Sequence, residues 1–178
     1  MTKVVIRSAS FLFKSLVRTM LFFSLASIAQ VGLTLDLDEP APDFTLASNQ
    51  DKNIRLDDLH GDVVMINFWA TWCGPCLQEM PLLDELYQKY ESAGFTLLGV
   101  NVEDLDDSDK VNEMIEKLQV SFPILYDVES IASELYSVDA MPSTVFVDRE
   151  GNFRYLHRGY KPGDEEGYTK IVQALIRM

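Results

Sequence analysis

Residues 63–81 read VVMINFWATWCGPCLQEMP, and they contain both cysteines of the 178-residue chain, Cys73 and Cys76. The near-continuous apolar run from Val63 to Trp69 suits a strand buried on both faces. After Cys76 the apolar spacing becomes helical: Leu82, Leu86 and Tyr90 share one face, with Leu83 and Tyr87 beside it. The cysteine pair therefore lies where a buried strand gives way to a helix starting at about Cys73. A helix N-terminus presents unsatisfied N–H groups and a partial positive charge, and both favour thiolate over thiol. Cys73 is the expected nucleophile. Cys76, one turn on, can reach back to close a small disulfide, as resolving a mixed disulfide requires. Pro75 fixes the backbone of the first turn, where its missing N–H costs nothing, and Gly74 leaves the approach to the sulfur open.

Two other uses of the pair stay open. A static disulfide suits an oxidising compartment, but a loop this short removes little chain entropy and would stabilise the fold weakly. A zinc or copper site needs ligands beyond two thiolates, and neither of the two histidines, His60 and His157, has ligand spacing to the cysteines. No metal and no other cofactor is expected.

On either side of this stretch the chain alternates. LDLDEPAPDFTLASNQ, residues 35–50, is rich in proline and turn formers and leads into a first strand at about Phe44 to Leu46. IRL at 54–56 reads as a short strand, LDDLHG as a turn, and FTLLGVNV at 95–102 as a second buried strand after Gly94 closes the site helix. A second amphipathic helix spans Ser108 to Gln119 with Val111, Met114, Ile115 and Leu118 inward. FPILYD at 122–127 is extended, Glu129 to Tyr136 is a helix, and STVFVD and NFRYLH form a hairpin across REG. A last helix starts near Asp164, with Ile171, Val172, Ala174 and Leu175 available to the core. This order predicts an α/β fold, a central mixed sheet flanked by helices on both faces.

The first 29 residues carry Lys3, Arg7, Lys14 and Arg18 and no acid, then run through the apolar MLFFSLASIA, Met20 to Ala29. Residues 1–29 read as a signal peptide or membrane anchor. Ser27 and Ala29 are the small residues a signal peptidase favours, while Gln30, Gly32 and Thr34 weaken an uncleaved span. Residues 30–39 form a linker and 40–178 the folded domain. The net charge of −13, less these four cations, leaves −17 on residues 30–178. That sign repels phosphate backbones, so nucleic acid is not an expected partner and a basic protein is a better one. EDLDDSD, 103–109, reads as a solvated loop ending in a helix cap. A calcium site is the lesser alternative, for the glycine turn and distant glutamate of an EF-hand loop are missing.

FWATWCGPC, followed by LQEMP, together with APDFTL at 41–46 and MPSTVFVDREG at 141–151, resembles the thioredoxin superfamily. More narrowly the chain is similar to the TlpA-like extracytoplasmic thiol:disulfide reductases associated with cytochrome c maturation, over roughly residues 40–176. The resemblance implies a thioredoxin-like fold with an extra strand and helix inserted after the site helix. It implies a cis-proline at Pro142 lying against the disulfide, and a Met141 backbone offered to an extended substrate segment. Trp72, at a turn beside the reactive sulfur, suits a docking surface better than a core position. By the same resemblance Glu79 tunes or shuttles protons for the cysteines; plain solvated helix surface is the alternative reading. Pro81 should kink the site helix or deprive it of a bond. Asn67 stands where cytoplasmic thioredoxins carry a buried aspartate, an acid that the membrane-side reductases often lack too.

The function implied is a thiol:disulfide oxidoreductase, exported to the periplasm or the outer face of the inner membrane. It would reduce disulfide-bearing client proteins through Cys73 and Cys76 and be re-reduced by a membrane electron donor. Two alternatives remain: a disulfide-forming oxidase of the same fold, and a non-catalytic module that holds metal or a client through the two thiols.

Overall fold

Strand β3, Val63–Trp69, is buried at all seven positions and forms the centre of the sheet. In this computed structural model, which describes residues 38–104 and 108–178, its side chains alternate between two cores. Val63, Met65 and Trp69 enter one and Val64, Ile66 and Phe68 the other, as the two-residue period of a strand dictates. The expected leader at 1–29 and most of the expected linker lie outside the described residues. No helix among the described residues is long and apolar enough to cross a membrane.

The remaining strands are β1 (Thr45–Ser48), β2 (Asn53–Arg55), β4 (Phe95–Asn101), β5 (Ile124–Tyr126), β6 (Ser143–Val147) and β7 (Phe153–Arg158). They form one mixed seven-stranded sheet in the order β2-β1-β5-β4-β3-β6-β7. β3, β4 and β5 run parallel, and β6 pairs antiparallel with β3, setting Asn67 opposite Thr144. Among the described residues four helices cover the sheet: α1 (Gly74–Tyr90), α2 (Ser108–Leu118), α3 (Ile131–Leu135) and α4 (Asp164–Ile176). α1, α2 and α4 contribute to the core that holds Met65 and Trp69; α3 and the segment around β1 contribute to the other. The expected mixed sheet with helices on both faces, including the β4–α2 insertion, is what the chain forms.

Some details differ. The short helix expected over Glu129 to Tyr136 begins only at Ile131, because the buried Asp127 carboxylate accepts the amides of Ala132 (3.0 Å) and Ser133 (2.8 Å) and caps it there. α4 buries Tyr168, Val172 and Leu175, at spacings of four and three, which leaves Ala174 exposed and brings in a tyrosine instead. The buried stripe of α1 is Cys76, Glu79, Met80, Leu83 and Leu86, with Leu82 only half-buried. Asp84 on the same helix accepts the Ser121 amide (2.6 Å) and hydroxyl (2.8 Å), tying α1 to the loop before β5. α1 continues through Pro81, so the missing amide removes one helical bond without ending the helix.

Leu97 is fully buried in β4 within the core that holds both cysteines. Leu97→Ala should therefore lower the unfolding free energy by about 2–5 kcal/mol, read as a lower urea midpoint at unchanged slope.

Candidate active site

β3 ends at Trp69, and four residues later Cys73 is the N-cap of α1, with extended backbone (φ −88°, ψ 96°). Its Sγ accepts the Cys76 amide at 3.3 Å, the place a serine or aspartate oxygen takes at most helix starts. The two cysteines are joined in a disulfide with Cα atoms 5.3 Å apart. Pro75 sits in the first turn, as expected, and a side chain at Gly74 would meet nothing within 4 Å. Cys76 is fully buried and Cys73 retains 5% exposure, so an incoming sulfur reaches Cys73 first. Trp72 beside it is 69% exposed, among the few large hydrophobic side chains left in solvent. The Met141–Pro142 peptide is cis, and Met141 packs half-buried against the core that contains both cysteines.

The turn that carries Trp72 is held from the neighbouring strand by a residue whose part the sequence did not reveal. Glu103, just past the end of β4, accepts the Thr71 amide on Oε2 and the Thr71 hydroxyl on Oε1, both at 2.6 Å. Asn101 Nδ2 donates to the same Oε2 at 2.9 Å, and the Glu103 amide donates back to Asn101 Oδ1 at 3.1 Å. Glu103 is 7% exposed, so this end of the acidic run is not a solvated loop. Residues 105–107 of that run lie outside the described residues.

Glu79, one turn beyond Cys76, is buried rather than on a solvated surface. Its Oε2 accepts Asn67 Nδ2 at 3.1 Å, and the same amide donates to Thr144 Oγ1 at 3.0 Å. Tyr168 of α4 faces the carboxyl closely enough to favour its charged form. By strict distance and angle, however, neither Tyr168 Oη nor Glu79 Oε1 completes a hydrogen bond. His60 approaches Asp57, and His157 pairs with Asp164 at 3.1 Å while packing edge-on against the Tyr168 ring. Among the described residues no group of three or more His, Cys, Asp or Glu side chains is placed to hold a metal.

Residues 37–156 match the AhpC/TSA family. The chain belongs to that family. Among curated AhpC/TSA-like relatives, a protein named thiol-disulfide oxidoreductase ResA from Oceanobacillus iheyensis is 31% identical over 173 residues, covering 91% of this chain and 88% of the relative. One of the same name from Geobacillus thermodenitrificans is 35% identical over 138 residues, covering 78% and 75%. Among solved structures, a thiol:disulfide interchange protein DsbE from Chlorobium tepidum superposes with a TM-score of 0.76 at 31% identity, covering 80% of this chain and 99% of that one. The thioredoxin-like fold and a TlpA-like assignment, expected from the motifs, are consistent with all three.

In this AhpC/TSA chain the Glu79 carboxyl is raised to about 7, chiefly by burial; the charges of Asp164 and Glu165 push it further up, while Tyr168 and Asn67 pull it down. Because the folded value lies above the ordinary 4.5, the folded protein holds a proton that the unfolded chain releases. Stability is therefore greatest below about pH 4.5 as far as this group is concerned, falls between about 4.5 and 7, and is level above. Glu79→Gln should remove that slope. Relative to wild type it should gain on the order of 3 kcal/mol between pH 4 and pH 8, measured by urea melts of the oxidised proteins at both values.

Proposed function

We propose that the protein is a thiol:disulfide oxidoreductase that reduces disulfides in client proteins. The observation that carries this is the Cys73/Cys76 pair at the start of α1, with the accessible sulfur capping the helix beside an exposed tryptophan. In the reduced protein the Cys73 thiolate attacks one sulfur of a client disulfide. A Cys73–client bond forms, and the other client sulfur leaves as a thiolate and takes up a proton. Cys76 then gives up its proton and attacks Cys73 Sγ, closing the pair seen here and releasing the second client thiol. Two electrons pass from the pair to the client, so an electron donor must reduce the pair before the next cycle.

The finer parts of the reading rest on other grounds. The basic, apolar character of residues 1–29 supports export to the periplasm or the outer face of the inner membrane, with the leader either cleaved or kept as an anchor. A membrane protein passing electrons outward is the donor proposed for that compartment. The TlpA-like motifs support a place in cytochrome c maturation. Glu79 is proposed as the proton partner of Cys76, since both are buried and one helical turn apart. Trp72, Gly74, Pro75, Met141 and Pro142 are proposed as the surface that receives the client segment.

Cys73→Ser should abolish reduction of protein disulfides, whereas Cys76→Ser should accumulate a mixed disulfide with the client, seen as a dithiothreitol-sensitive adduct by mass spectrometry. Normal turnover by the Cys73→Ser variant would sink the proposal. The equilibrium potential of the pair sets the direction. A value near roughly −270 mV or lower identifies a reductase, and one near about −120 mV would make the same chemistry run as disulfide formation.

A further inference from the structure

We infer that Tyr168 is the positioning residue of the Glu79 carboxyl, its hydroxyl closing the buried polar cluster from α4 and serving Glu79 in both protonation states. The inference rests on the proton role proposed above for Glu79. The cluster is assembled from four elements: Asn67 of β3, Glu79 of α1, Thr144 of β6 and Tyr168 of α4. Asn67 and Thr144 are register partners, and their neighbours Met65 and Phe146 belong to the core shared with α1 and α4.

The count of donors singles out the tyrosine. Asn67 Nδ2 has two hydrogens and directs them to Glu79 Oε2 and Thr144 Oγ1, which leaves it none for Glu79 Oε1. Oε1 and Tyr168 Oη are both buried and both without a completed bond; the tyrosine hydroxyl favours the charged form of the carboxyl, and its ring packs on Phe146, two residues along β6 from Thr144. A carboxylate needs a donor at that oxygen, and a carboxylic acid needs an acceptor. A hydroxyl is both, whereas an amide nitrogen or a backbone N–H would serve only the charged form.

The hydroxyl is not needed to fill space. The Tyr168 ring packs against Phe146 (centroids 5.7 Å) and edge-on to His157 (5.5 Å), contacts a phenylalanine would keep. A buried hydroxyl with no completed bond weakens a core that phenylalanine would leave intact. The charged groups around Glu79 cannot take its place. Asp164 and Glu165, from the first turn of α4, oppose ionisation, and His157 is paired with Asp164. Tyr160, whose hydroxyl donates to Glu165 Oε2 at 3.1 Å, belongs to the same acidic rim.

The test is the titration of the Glu79 side-chain carboxyl by carbon NMR in the full-length oxidised protein, where no thiol titrates and the signal is assigned by its loss in Glu79→Gln. Tyr168→Phe should move the midpoint upward by about half a pH unit or more, because the charged form loses its donor. Site-specific 3-fluorotyrosine at position 168, a stronger donor in the same shape, should move it downward, and it tests the inference even should the phenylalanine variant fold poorly. In the reduced protein the pH profile of disulfide reduction should shift in the same directions. Carboxyl titrations that superimpose on wild type in both variants would overturn the role of Tyr168. A reduction profile unmoved by Glu79→Gln would instead overturn the proton role of Glu79 and leave the carboxyl titration to be read on its own.

Discussion

A single contact, the Cys76 amide donating to Cys73 Sγ at 3.3 Å, sets the position of everything around the site. It makes the first cysteine the cap of α1, so the start of the helix and the place of the more exposed sulfur are one structural event. The partial positive charge at that end of the helix is then directed at the sulfur itself. When the disulfide is reduced, an acceptor that carries a full negative charge is better matched to those N–H groups than a thiol. The cap can occur only there because β3 stops there. Burial on both faces fixes β3 in the sheet, and Glu103 grips the turn beyond it through both atoms that Thr71 can donate.

The two faces of the sheet are not equivalent around this junction. On the face of α3 the alternate residues Val64, Ile66 and Phe68 all enter the second hydrophobic core. On the face of α1 and α4 one step of the same alternation is Asn67, and opposite it in β6 stands Thr144. Asn67, its amide also held by Thr144, gives a buried glutamate a donor to bond. Without that donor a carboxyl at that depth would be a plain liability. With it the carboxyl's proton is held loosely enough, at about 7, to be exchanged near neutral pH.

Much of this was legible in the sequence where one residue type repeats at one period. The bounds of β3 are those read from VVMINFW, and β4, α2 and the β6–β7 hairpin fall within a residue or two of their expected places, because long apolar periodicity is insensitive to distant context. The place of the cysteine pair at the start of a helix followed from the strand-to-helix switch. What the sequence hid was decided by partners far along the chain. Glu103 looked like one acid among five until Thr71, 32 residues earlier, was found donating to it. Glu79 read as well for a surface residue, since the Asn67 that bonds it is 12 residues away on another element. Apolar character alone favours Ala174 on α4, but the face that packs is the one carrying the Tyr168 ring. The late start of α3 has the same origin, a cap supplied by Asp127 from five residues upstream.

The division of labour between the sulfurs follows from their burial. Cys73, slightly exposed and at the helix start, stands at the fixed dipoles of the helix N-terminus, an environment that favours thiolate over thiol. Cys76 is enclosed, and its own amide is already committed to Cys73, so the same dipoles do not serve it as directly. A buried thiol is held in its neutral form by desolvation. For Cys76 to resolve a mixed disulfide it would have to pass its proton to a group that is also buried, close along the chain and able to change charge near pH 7. On the side of the helix that faces the sheet, Glu79 meets each of those conditions. The raised value of the carboxyl is then a matching condition: an ordinary surface glutamate, already ionised and weakly basic at neutral pH, would take that proton far less readily.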